Sequence, residues 1–237
     1  MSAALRTLPG TEGERGRESD AAFVLSLRAR GIFDLGVLRV MEIVPRDHFA
    51  PRRFADLARS DVALPLACGQ TMTAPAVVAS MLAALDAKRG HRILEIGTGS
   101  GYATALLGRL GAEVRSVERR QVLAEAAWSR LVAGGFDDGV RVEHADGVSD
   151  EDEGHYDRIL VNGTLSHVPA GLTSRLRAGG RLVCGTPTDT LPRILVLGRS
   201  QDGTLTSTSG TSIRLSPLVV GGGTGQGGRC SRNGSLT

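Results

Sequence analysis

Apolar positions along the chain change their spacing near residue 91. Upstream, over residues 21 to 43, they recur at helical intervals in two pieces, AAFVLSLRAR and DLGVLRVMEI, separated by Gly31. VPRDHFAP, bracketed by Pro45 and Pro51, predicts a turn-rich connector. SDVALPL leads into GQTMTAP at 69–75, and the apolar run after it predicts a helix from Pro75 to Ala87 with proline in its first turn. Downstream the pattern alternates. RILEI, with glycine directly after it, predicts a buried parallel strand, and a helix follows over 101–110. AEVRSVE, GVRVEHADG, YDRILVN and GGRLVCG predict four more strands, with helices at QVLAEAAWSRLVA and, past Pro169, up to Leu176. RILVLGRS and a stretch around TSIRLSP predict antiparallel strands that finish the sheet. Strand–helix alternation of this kind predicts an α/β doubly wound, mostly parallel sheet, with N-terminal helices and antiparallel C-terminal strands. The expected organisation is a disordered tail over 1–20, an N-terminal helical and substrate-side segment over 21–90, the main domain over 91–218, and a Gly-rich disordered tail over 219–237.

Composition narrows the function classes. The longest apolar runs fall well short of the roughly 20 residues that span a bilayer, so no membrane segment is expected. No apolar h-region follows the first basic residue, so no secretory signal is expected. Net charge is +3, and the basic residues are nearly all arginine, Lys88 being the only lysine. These charges are dispersed rather than run together, so no nucleic-acid partner is expected. The three cysteines, Cys68, Cys184 and Cys230, are odd in number and widely spaced. They fit neither a disulfide framework nor a zinc site and point to a reducing cytoplasm. The five histidines are scattered, so no metal site is expected.

The strongest chemical signal is LEIGTGSGY, residues 94 to 102, where Gly97, Gly99 and Gly101 lie between a strand and a helix start. Glycines there permit φ > 0 and close approach of a ligand to the backbone. A strand-to-helix turn that happens to be glycine-rich would look the same. Two acidic positions alter the balance. Glu118 ends the second strand, where a carboxylate can take both ribose hydroxyls, and Asp146-Gly147 ends the third, beside the position of an adenine. Either carboxylate singly could be a helix cap or a solvated group; together they point to an adenosine-containing ligand. The dinucleotide fingerprint fails, because Tyr102 stands where its third glycine belongs, and there is no G-x-x-x-x-G-K-[ST] loop for a nucleoside triphosphate.

An E-x-G-x-G-x-G loop with an acidic second-strand end resembles the cofactor site of class I methyltransferases. VPRDHFAP, ALPLACGQTMTAP, LEIGTGSGYATALL, SVER, ADG, YDRILVNGTLSHVP and LRAGGRLV together, over residues 37 to 186, resemble the protein-L-isoaspartate O-methyltransferases in order and spacing, with a weaker echo at RLSPLVVG. The resemblance implies S-adenosylmethionine as cofactor and the α-carboxyl of L-isoaspartyl residues in damaged proteins as acceptor. It implies a cytoplasmic, monomeric repair enzyme with isoaspartyl-containing proteins or peptides as partners. Gln70, Thr71, Met72, Glu95, Gly97, Gly99, Gly101, Glu118, Asp146 and Gly147 are then expected on the cofactor side. Thr73 stands where the family usually has serine beside the reacting centre, and is the expected catalytic hydroxyl. Asn162, Leu165 and His167, in a loop where the family has smaller residues, are expected to border the acceptor.

A carboxylate acceptor suits this set. It is already ionised at neutral pH and needs no general base. The protein must align it with the methyl group and strip its water. The altered acceptor loop leaves two alternatives: a methyltransferase for another acceptor (a modified peptide, RNA or a small molecule), or a non-catalytic cofactor-binding adaptor.

Overall fold

The computed structural model describes residues 12–148 and 154–218. A seven-stranded sheet forms the centre. Its strands are β3 (Arg92–Ile96), β4 (Glu113–Glu118), β5 (Val140–His144), β6 (Tyr156–Thr164), β7 (Leu176–Thr186), β8 (Arg193–Arg199) and β9 (Leu205–Ser212), in the order β5-β4-β3-β6-β7-β8-β9. β3 pairs in parallel with β4 and with β6, so chain order reverses direction between β3 and β6. That reversal opens a crevice at the carboxyl ends of the two strands, the place where open α/β sheets bind ligands. β8 and β9 are antiparallel additions at the far edge. The last strand lies earlier than the hydropathy around TSIRLSP predicts. A tight turn at Ser200–Gly203, where the Asp202 carboxylate accepts from Ser200 Oγ and Thr204 N–H, starts the return strand at Leu205.

Side-chain alternation along β3 divides the core. Ile93 packs with α4 (Pro75–Leu85) and α5 (Tyr102–Arg109), in a layer shared with Met81, Leu82, Leu85 and Leu106. Leu94 and Ile96 face the other side with Ile159, Val161, Leu182 and Cys184. Helix α6 (Gln121–Gly134) covers β4 and β5. The short helix α7 (Ala170–Ser174) packs on β7.

The N-terminal part wraps one face as α1 (Glu12–Arg28), α2 (Leu35–Ile43) and α3 (Arg46–Phe49). Helix α1 takes in the last nine residues, 12–20, of the segment expected as a loose tail. Asp34 caps α2, its Oδ1 accepting from the Val37 N–H at 2.9 Å. GQTMTAP is in part a small strand pair. β1 (Leu64–Pro65) and β2 (Thr71–Met72) run antiparallel, and α4 starts at Pro75, as its position in the sequence predicts. Cys184 is a free, buried thiol, pushed up to about 12 by burial. Cys68 is disulfide-bonded, a departure from the expectation that the cysteines are unpaired. The expected tail at 219–237 lies outside the described residues, as does the Cys230 position.

Candidate active site

Strand β3 delivers the glycine loop to the crevice. Gly97 (φ 88°) and Gly99 (φ 56°) hold left-handed backbone that a side chain would strain. The loop is fastened to the strand beside it. Gly97 N–H donates to the Val117 carbonyl (2.8 Å), and Gly99 N–H donates to Glu118 Oε2 (2.9 Å). The other oxygen of Glu118, Oε1, accepts from Arg120 N–H at 2.9 Å. Glu118 is 7% exposed, so both bonds are shielded from bulk water. A carboxylate offers about four lone-pair directions, so two backbone donors leave room for hydroxyl donors from a ligand.

The cleft above the loop spans about 1050 Å³, a volume that includes space open to solvent. Its lining includes Glu118, Asp146, Gly147 and the apolar side chains of Ile96, Val117, Leu123 and Val148. Asp146 closes its turn by accepting the Val148 N–H at 3.2 Å. A lining that combines aliphatic side chains with two carboxylates suits an adenosine-containing ligand. The lining also includes Gln70, Thr71, Met72, Thr73, Tyr102 and residues 215–218. Thr73 and Glu118 therefore line the same cavity, and among the described residues the Thr73 hydroxyl makes no hydrogen bond.

Four expectations need correction. Glu95 does not line the cleft. It is fully buried, and its Oε2 accepts from Thr104 Oγ1 (2.6 Å) and Ser116 Oγ (2.7 Å) while Oε1 accepts from Asn162 Nδ2 (2.7 Å). The cause is strand alternation, which puts Glu95 on the face of Ile93, under the loop. Burial is the largest influence on Glu95 and, only partly offset by these bonds, raises its carboxyl to about 7. Gly101 does not line the cleft either. It caps α5 at φ 89°, and a Cβ there would lie 3.2 Å from Ala127 Cβ, so this glycine lets α5 approach α6. Leu165 is buried with Tyr156, Ile159 and Leu172 in the second core layer. His167 is an exposed loop residue with Ser166 Oγ 3.3 Å from its Nδ1, outside the cleft.

Asn162 does line the cleft, but its amide is turned inward. Besides Glu95, it donates to the Gly97 carbonyl at 3.0 Å, so it braces the glycine loop from β6. Sequence reasoning missed residues 215–218 as a wall. They reach the site by pairing with the end of β6: Thr164 N–H donates to the Ser216 carbonyl and Leu218 N–H to the Thr164 carbonyl, both at 2.9 Å. The faint resemblance at RLSPLVVG was the available signal. Tyr102, Arg119 and Arg120 also line the cleft without having been singled out.

The model of the protein-L-isoaspartate (D-aspartate) O-methyltransferase family matches residues 18–223. The chain belongs to this family. Two curated relatives agree over nearly their full length. A protein-L-isoaspartate O-methyltransferase of Azorhizobium caulinodans is 40% identical over 216 residues, 89% of this chain and 97% of the relative. Protein-L-isoaspartate O-methyltransferase 2 of Rhodopseudomonas palustris is 44% identical over 204 residues, 84% of this chain and 92% of the relative. In fold, the chain is similar to a crystal structure of a Plasmodium falciparum protein-L-isoaspartate O-methyltransferase in complex with S-adenosyl-L-homocysteine. That match has a TM-score of 0.75 at 22% identity and covers 84% of this chain and 97% of the other. The family member described here is an S-adenosylmethionine-dependent methyltransferase of the class I fold that acts on isoaspartyl residues in protein repair. None of its described helices is long and apolar enough to cross a membrane.

Proposed function

We propose that the cleft carries out the family's transfer with its two ends divided as follows. Glu118 holds the ribose of S-adenosylmethionine, and Asp146-Gly147 hold the adenine edge. The loop at Gly97–Gly99, braced by Asn162 and Glu118, carries the amino-acid end. When bound, S-adenosylmethionine supplies a sulfonium-activated methyl group. Thr73 donates its hydroxyl to one oxygen of the isoaspartyl α-carboxylate and leaves the other free to attack. Residues 215–218, with Met72 and Thr73, enclose the acceptor and exclude water from it, which raises the reactivity of a charged nucleophile.

The observation that carries this reading is an unengaged hydroxyl, Thr73, on the lining of the same cavity as Glu118 and Asp146. No histidine, lysine or cysteine is among the described residues lining the cleft, which suits an acceptor that arrives already ionised. A cation at that position would favour the bound ground state over the transition state, whereas a hydroxyl is a milder partner. We further infer that the enzyme works on damaged proteins rather than on nucleic acid, supported by its dispersed charges.

The acceptor chemistry is tested by the lability of the product. With methyl-labelled cofactor and an isoaspartyl peptide, label should enter the peptide and leave as volatile methanol in mild alkali, as an ester does. Label stable to alkali, or label entering RNA instead, would refute carboxyl methylation.

A further inference from the structure

VPRDHF lies far upstream of Thr73 in sequence, and none of its residues lines the cleft. Its arginine nevertheless reaches the site from behind. Arg46 is 2% exposed. Its Nη1 donates to the Ala58 carbonyl at 2.7 Å, and its Nη2 donates to the Val62 carbonyl at 3.0 Å and to the Thr73 carbonyl at 3.1 Å. Burial lowers its guanidinium to about 10, which leaves it charged at neutral pH, so all three are charge-assisted bonds.

Thr73 needs such an anchor. The β1–β2 ladder ends at the Leu64–Met72 pair, and α4 begins at Pro75. On the helix side, Asp61 Oδ1 accepts from Ala76 N–H at 2.9 Å and is itself paired with Arg30 at 2.8 Å. Thr73 sits in the gap between ladder and helix, where Arg46 holds its backbone carbonyl. The same motif touches the cleft a second time: Phe49 is fully buried with its ring centroid 5.8 Å from that of Tyr102, a cleft residue.

We propose that Arg46 is a positioning residue for the transfer: by clamping the Thr73 carbonyl to those of Ala58 and Val62, it fixes the peptide plane that aims the Thr73 hydroxyl at the acceptor. It touches neither acceptor nor cofactor. The clamp needs the planar fork, because one ammonium cannot bridge three carbonyls from separate segments with the same geometry. The inference rests on the role of Thr73 proposed above.

A double-mutant cycle of Arg46→Lys with Thr73→Ala tests it in the full-length enzyme, read by kcat on an isoaspartyl peptide. Lysine keeps the charge, so the variant isolates geometry. Arg46→Lys should lower kcat at least about tenfold, the effect of one lost charge-assisted bond. Affinity for S-adenosylhomocysteine should stay within about twofold, because no cofactor contact changes. In the Thr73→Ala background Arg46→Lys should lower kcat no further, although its effect on melting temperature persists there. Additive losses in kcat, an unchanged kcat in a folded Arg46→Lys enzyme, or a parallel loss of cofactor affinity would overturn the proposal. So would an Arg46→Lys protein that fails to fold at 4 °C with saturating S-adenosylhomocysteine, since Arg46 would then serve the fold at large. A Thr73→Ala enzyme with normal kcat would instead remove the role of Thr73, which separates the two failures.

Discussion

Replacing Glu118 by alanine should cripple cofactor binding, and the structure gives the size of the effect. The side chain joins two things: the loop, through Gly99 N–H, and the turn into α6, through Arg120 N–H, each at 2.9 Å. Truncation removes both and also removes the acceptor available to ribose hydroxyls. One hydrogen bond to a charged group is worth about 1.5–3 kcal/mol. That alone is about 10- to 150-fold in dissociation constant. Because the loop loses its tie to β4 as well, a loss of at least about 30-fold is expected. Thr73→Ala is the control. Assigned to the acceptor rather than the cofactor, it should change affinity by no more than about twofold, the range of substitutions that remove no contact to the ligand. Titration calorimetry with S-adenosylhomocysteine reads both. Equal affinities for wild type and Glu118→Ala, or a greater loss in Thr73→Ala, would refute the division of the cleft into a cofactor end and an acceptor end.

Other consequences follow from the corrected residues. Glu95 binds its proton more tightly in the folded state, about 7 against an ordinary 4.5, so its contribution to stability is present below 4.5, declines as pH rises toward 7, and is then level. The decline is on the order of 3 kcal/mol at most. Melting temperatures between pH 4.5 and 8 should fall less steeply for Glu95→Gln than for wild type, and parallel curves would contradict this. Leu165→Ala should cost about 2–5 kcal/mol of stability, as truncation of a buried leucine does, with the acceptor KM unchanged in the folded enzyme. A raised KM with unchanged denaturation midpoint would return Leu165 to the acceptor side. Gly101→Ala should lower stability by about 1–3 kcal/mol, from strained φ and the Ala127 contact, while saturating cofactor still binds. Differential scanning calorimetry checks that size, and an unshifted melting temperature would refute the packing role.

What was legible in the sequence, and what was not, divides along physical lines. The central parallel strands announced themselves because burial on both faces demands short, mainly apolar runs such as RILEI and RILV, and the glycine loop and its acidic neighbours were fixed by short local spacings. Glu95 was misplaced because nearness to a glycine loop outweighed the period-two alternation that sets it on the face of Ile93. Leu165 was misplaced although its aliphatic side chain, directly after a strand, suited the core better than a peptide-binding rim. Asn162 was correctly drawn to the cleft and assigned the wrong partner, since its bonds to Glu95 and Gly97 arise only when β3 and β6 lie side by side. The wall at 215–218 and the Arg46 clamp depend on pairings between distant segments, which no local period encodes.

The central claim is that the Thr73 end of this cleft presents an isoaspartyl α-carboxylate to the methyl donor. The most direct measurement is methyl transfer from labelled S-adenosylmethionine to a matched pair of peptides that differ only in an L-isoaspartyl or L-aspartyl linkage. Transfer to the isoaspartyl peptide alone is the predicted result; equal transfer to both, or transfer to neither, would contradict it.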